Sequence, residues 1–102
     1  MSIKNISIMI NNIKKEKLLE IIMPFQPKRI GIFGSYARNE QTNESDLDVL
    51  VSFTKTINLL DLVGLELDLC EQLDMKVDLL TENAVNNAIR PYIEKDIKWI
   101  WG

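Results

Sequence analysis

The chain has 102 residues, 46% of them apolar and 26% charged, and a formal net charge of −3. That length fits one compact domain over residues 1–102, with no room for separate catalytic and substrate domains, and the charge lacks the basic footprint of a protein that grips extended nucleic acid. One cysteine and no histidine exclude an internal disulfide, Ser-His or Cys-His catalysis and the common zinc sites, so any metal here is held by oxygen and is Mg²⁺, Mn²⁺ or Ca²⁺.

The first predicted element is a helix from Ile6 to Phe25, in which Ile6, Ile10, Ile13, Leu18 and Ile22 recur near helical spacing. Lys14, Lys15 and Lys17 form a solvated basic face on it, and Pro24 and Pro27 end it. The segment has no apolar core with a small-residue cleavage site, and no run in the chain is long enough to span a membrane, so a cytoplasmic protein is expected. Next, "KRIGIFG" reads as a short strand stopped by a glycine. "SYARNE" reads as a single short helix with Ser35 as its N-cap, closed by Asn39 in a left-handed conformation. "QTNES" is a polar loop.

"SDLDVLVSF" is the second strand. Its alternation puts Leu47, Val49, Val51 and Phe53 on one side and Asp46, Asp48, Leu50 and Ser52 on the other. The connection from the first strand is too short for a parallel return, so these two strands are predicted antiparallel and the sheet mixed. "INLLDLVGLELDLCEQL" is a helix, apolar over more than half its circumference, with Glu66 inside the apolar arc. A helix that only covers a sheet needs one apolar stripe. The excess is met either by wedging the helix between the sheet and the last helix, or by offering Leu62, Leu65 and Leu69 to another chain. Cys70 lies on the apolar side and is most simply core, while Glu66 is expected to snorkel or to meet a basic partner group. "MKVDLLT" is the third strand, with Met75, Val77 and Leu79 on one face and Asp78 with Leu80 on the other. "ENAVNNAIRPYIEKDIKWIWG" closes the chain as a helix interrupted near Pro91, with Trp99 and Trp101 either a docked tail or an interface anchor. The order α-β-α-β-α-β-α describes a small three-stranded mixed sheet backed by helices on one face, an α/β (α+β) arrangement.

Asp46 and Asp48 carry the first chemical signal. Two residues apart on a strand, their Cα atoms stand about 6.6 Å apart on one face. Two such charges in a partly buried site repel by roughly 2–3 kcal/mol at an effective dielectric near 20. A divalent cation relieves that repulsion, and carboxylate oxygens suit Mg²⁺. Asp78 enters the third strand in the same way. If the second and third strands are neighbours, three acids converge, and with metals they form the set that two-metal phosphoryl or nucleotidyl transfer uses. Each piece alone has a plainer reading: a D-x-D pair fits a solvated loop edge, and Gly34-Ser35 fits a common turn. Together, however, they place a turn with free N–H groups and no side chain at Gly34 about ten residues before the acids.

On these residues the chain resembles a known family. "GSYARNEQTNESDLDVLV" is similar to the G-S-x(8–13)-D-x-D motif of the DNA polymerase β-like nucleotidyltransferase superfamily, and "KRIGIFGSYAR", "SDLDVLV", "KVDLLT" and "RPYIEKDI" together resemble its minimal nucleotidyltransferases, the MNT proteins. The resemblance implies that Gly34 and Ser35 bind the β- and γ-phosphates of ATP, that Asp46 and Asp48 ligate two Mg²⁺ ions (Mn²⁺ being an alternative), and that Asp78 ligates the catalytic metal and helps deprotonate the attacking hydroxyl. It gives Arg38 a phosphate contact, against an equally simple helix-surface role. Asn39 stands where relatives commonly carry glycine, and asparagine tolerates positive φ.

Resemblance to the short members also implies a partner: a HEPN-domain toxin, a helical ribonuclease, onto a tyrosine of which AMP is transferred from ATP, the chain acting as antitoxin in a hetero-oligomer or as a homodimer. Two alternatives stand beside that reading. One is a binding-only antitoxin that blocks its partner sterically; the other is a nucleotidyltransferase acting on a small molecule such as an antibiotic.

Overall fold

The computed structural model describes residues 14–102. The part of the expected first helix that precedes residue 14 lies outside the described residues. Helix α1 covers residues 14–22. A 3₁₀ turn, Met23–Phe25, follows, with Pro24 in it, and Gln26 closes it in the left-handed region at φ 58°. Strand β1 runs Pro27–Phe33, β2 Leu47–Phe53 and β3 Val77–Thr81. Helix α2 runs Leu59–Leu73 and helix α3 Arg90–Asp96, and a last strand, β4, spans Lys98–Trp101.

The sheet is four-stranded in the order β3-β2-β1-β4. β1 is antiparallel to β2 and to β4, and β2 is parallel to β3. The mixed sheet and the antiparallel first pair are as expected from the short connection. The fourth strand is a correction, because the closing segment is not one helix broken at Pro91. Asn86 turns the chain, its Oδ1 accepting from the N–H groups of Ala88 and Ile89 at 2.9 and 3.1 Å, and Pro91 then begins α3 rather than breaking it. "KWIW" is four residues long, too short for periodicity to separate strand from helix. It becomes a strand because β1 offers an unpaired edge. Arg29 stacks on Trp99 at 3.9 Å from the ring centroid. A Cβ on Gly31 would come within 2.7 Å of Ile97 Cδ1 and 2.9 Å of Trp99 Cε3, so the glycine is what lets this segment cross β1.

The alternation read from β2 decides the layers. Val49 and Val51, with Ile30, Val77 and Leu79, enter the main core, where Leu18 and Ile22 of α1 and Leu65, Leu69 and Leu73 of α2 pack on them. Leu50 faces the other way and packs with Val85 and Ile93. α3 therefore lies on the second face, which corrects the expectation that all helices share one face. It covers only part of that face, and the acids stand on what remains.

Candidate active site

α2 begins at Leu59 under the side chain of Asn58, whose Oδ1 accepts from Asp61 N–H at 2.8 Å, and it ends at Asp74 in the left-handed region. This helix returns the chain so that β3 lies parallel to β2 with Asp48 opposite Asp78. Neighbouring strands are about 4.8 Å apart, so these two acids are closer than Asp46 is to Asp48. Leu47 N–H donates to the Lys76 carbonyl at 2.9 Å, and the Lys76 ammonium stands 3.5 Å from Asp46 Oδ2. Lys76 was not among the sequence candidates. Its signal was the register itself, since pairing Asp48 with Asp78 puts residue 76 opposite residue 46.

The electrostatics follow from this crowding. Asp48 is pushed up to about 6, first by burial, then by the charges of Asp78 and Asp46 and a hydrogen bond with Asp78; the positive charge of Arg38 opposes the shift. Arg38 does not lie idle on a helix surface. It binds Asp96 at the end of α3 at 2.6 Å and Glu40 at 3.1 Å, and these contacts hold its guanidinium firmly protonated. Glu40 and Asp96 lie in stretches that carry the resemblance but were assigned no role there, and only the fold brings Asp96 near Arg38.

Gly34 sits at φ +74°, and a Cβ there would meet Asp48 Oδ2. Two separate constraints thus require glycine: the left-handed backbone and the carboxylate pressed against it. The expected short helix is a single 3₁₀ turn, Gly34–Tyr36, capped at Phe33 with no side-chain bond. Ser35 lies inside that turn instead of capping a helix. One such turn has too few aligned peptides for a useful dipole, so an anion cradle here rests on the open backbone at Gly34. Asn39 closes the turn at φ 60°, as expected.

Among the described residues no three carboxylates stand ready at metal-ligating distances. The donor set nevertheless fits a hard divalent cation: Asp48 and Asp78 are register partners with Asp46 alongside, and burial together with their mutual repulsion raises Asp48 despite the opposing charge of Arg38. A cavity of about 310 Å³ lies elsewhere, lined by Leu18, Ile32, Tyr36, Leu47, Met75 and Ile100 with lysines at its rim, and the acids take no part in it. No helix among the described residues is long and apolar enough to cross a membrane.

A mixed sheet that brings a glycine turn and three aspartates to one end is the framework of a nucleotidyl-transferring enzyme, and comparison with known proteins agrees. The family model for the nucleotidyltransferase domain matches residues 13–100. The chain is 44% identical over 89 residues, 87% of its own length and 88% of the relative's, to MJ0126 of Methanocaldococcus jannaschii, whose name proposes it as a protein adenylyltransferase. It is 33% identical over 76 residues to protein adenylyltransferase MntA of Thermococcus cleftensis, covering 74% of this chain and 77% of that one. Among solved structures it superposes on a toxin–antitoxin complex with AMP-PNP at a TM-score of 0.76 and 29% identity, over 90% of this chain and 73% of that one. The chain belongs to the nucleotidyltransferase family and is a nucleotidyltransferase.

Proposed function

We propose that the chain transfers AMP from ATP to a tyrosine hydroxyl of a HEPN-type toxin and so acts as its antitoxin in the cytoplasm. The observation that carries this reading is the convergence of Asp46, Asp48 and Asp78 beside Gly34, where burial and the charges of Asp78 and Asp46 raise Asp48. MntA of Thermococcus cleftensis, a protein adenylyltransferase by name, and the toxin–antitoxin complex with AMP-PNP support the class of reaction and of partner.

In this mechanism Asp46, Asp48 and Asp78 would hold Mg²⁺, which would offset part of the negative charge of the triphosphate and of the acids themselves. The glycine at position 34 keeps its backbone open to the β- and γ-phosphates, with the Ser35 hydroxyl beside it. Asp78 takes the proton of the acceptor hydroxyl. The new bond joins that oxygen to the α-phosphorus, the bond from the α-phosphorus to the bridging oxygen breaks, and pyrophosphate leaves. Arg38, anchored by Asp96 and Glu40, adds positive charge where the transition state gains negative charge.

Incubation with ATP labelled at the α-phosphate, Mg²⁺ and a HEPN toxin partner should place label on a toxin tyrosine, and Asp46→Ala or Asp48→Ala should lose it. If those variants silence the toxin as well as the native chain does, the enzymatic reading fails and steric blocking takes its place.

A further inference from the structure

α2 buries one face and leaves the other bare. Leu65, Leu69 and Leu73 enter the core, while Leu60, Val63 and Leu67 are 84%, 46% and 63% exposed. At about 100° per residue these three occupy one narrow strip on the side away from the sheet. The strip is bounded on one side by the protein itself, where Glu66 and Cys70 engage the N–H groups of Leu79 and Val77 at 2.8 and 3.2 Å. On the other side Asp61 and Asp68, both exposed, form its border, and Glu71 closes its far end. No lysine or arginine occurs between Asn58 and Met75.

Gly64 lies in the strip beside Leu60 and Leu67. A glycine in mid-helix costs about 1 kcal/mol relative to alanine. A Cβ added at Gly64 meets nothing within 4 Å, so no internal neighbour requires its absence. What glycine does supply is a recess among exposed apolar side chains, the shape that receives a knob from a second helix.

We propose that this strip docks a helix of the acceptor protein, one whose apolar ridge is bordered by lysine or arginine. The inference rests on the proposed function for the partner's being a protein; its chemistry comes from the strip. A second copy of the chain fits poorly. Antiparallel pairing of α2 on itself sets the Asp61–Asp68 border against its own like, between chains that each carry −3. A basic-bordered helix meets that border with opposite charge and fills the recess at Gly64. α2 packs on the face of the sheet opposite the acids, so a helix docked on the strip anchors the acceptor protein from the far side of the sheet and leaves the open face at Asp46, Asp48 and Asp78 uncovered.

The test uses the full chain and two short synthetic amphipathic helices with the same leucine ridge, one bordered by lysine and arginine and one by glutamate, followed by fluorescence anisotropy. The basic peptide should bind, less tightly as salt rises, and the acidic one should not. Leu60→Asp with Leu67→Asp should weaken binding at least about tenfold, as loss of central apolar anchors does. Gly64→Trp should weaken it similarly, whereas Gly64→Ala should raise the melting temperature of the free chain. All these positions are exposed, and an unchanged circular dichroism spectrum checks the fold. Equal binding to the native and doubly substituted chains, or binding of neither peptide, would overturn the proposal. So would self-association that the double substitution abolishes. Asp46→Ala, which ends transfer under the proposed function, should leave peptide binding unchanged, so failure of the catalytic reading and failure of the docking surface are separately visible.

Discussion

Gly34 and Asp48 each make the other's identity necessary. The turn brings the glycine backbone to φ +74° against the Asp48 carboxylate. Gly34→Ala therefore adds both backbone strain and a clash, and should cost about 2 kcal/mol in urea unfolding along with transfer activity. Asp48 gives the complementary result. Its folded value of about 6 lies above the ordinary carboxylate value near 3.9 that it has when unfolded. Below about pH 4 both states hold the proton and the site costs nothing. Between pH 4 and 6 only the folded state holds it, so stability falls as pH rises, and above pH 6 the loss is complete. Asp48→Asn should accordingly be more stable than the native chain at pH 7.5, by about 1 kcal/mol once solvent screening is allowed for. The gap should close in melts run below pH 4, while transfer is lost at every pH.

At the scale of elements, Glu66 shows how a misplaced charge is used. It sits within the apolar arc of α2 because β3 is an outer strand of the sheet with unpaired N–H groups. Its carboxylate accepts from Leu79 N–H, and one turn on Cys70 Sγ accepts from Val77 N–H while the thiol faces the Val77 carbonyl at 3.5 Å. α2 thus covers the strand edge that would otherwise pair with another chain. Glu66→Leu should cost about 1–2 kcal/mol by orphaning a partly buried N–H and should raise the tendency to aggregate on mild heating. Glu66→Gln, which keeps an acceptor oxygen, should lose much less in the same melts. The same view corrects the apolar excess of this helix. Leu65 and Leu69 are core and Leu62 is half-buried against it, so the surplus is carried by Leu60, Val63 and Leu67.

For the whole molecule, the site joins parts of the chain that only the sheet connects: the turn after β1, the mouth of β2, the start of β3 and, through Arg38 and Asp96, the end of α3. Under the proposed function, a cation bound by Asp46, Asp48 and Asp78 would tie these parts together. Millimolar Mg²⁺ should raise the melting temperature of the native chain, by roughly 2.7 kcal/mol of added stability when the free ion is a hundred times its Kd. EDTA should reverse the rise, and Asp46→Ala with Asp48→Ala should abolish it. A melting temperature indifferent to Mg²⁺ would count against these acids as the metal site.

Local pattern alone decided much. Alternation along "SDLDVLVSF" separated Val49 and Val51 from Asp48 and Leu50, and the structure keeps that division because a strand can bury only alternate residues on one face. The left-handed Asn39 and the antiparallel first pair were also legible, since both depend on a few adjacent residues. Tertiary structure alone decided the rest. "KWIW" has no strand identity until β1 offers an edge to pair with. Ser35 ceases to be a cap because the turn after β1 closes too tightly for a full helix. Lys76 meets Asp46, and Asp96 meets Arg38, only through the parallel register and the packing of α3. The acids' type and spacing are local and were written in the chain; the burial that raises Asp48, and the neighbouring charges that add to it, depend on the packing of strands, which no single stretch of sequence contains.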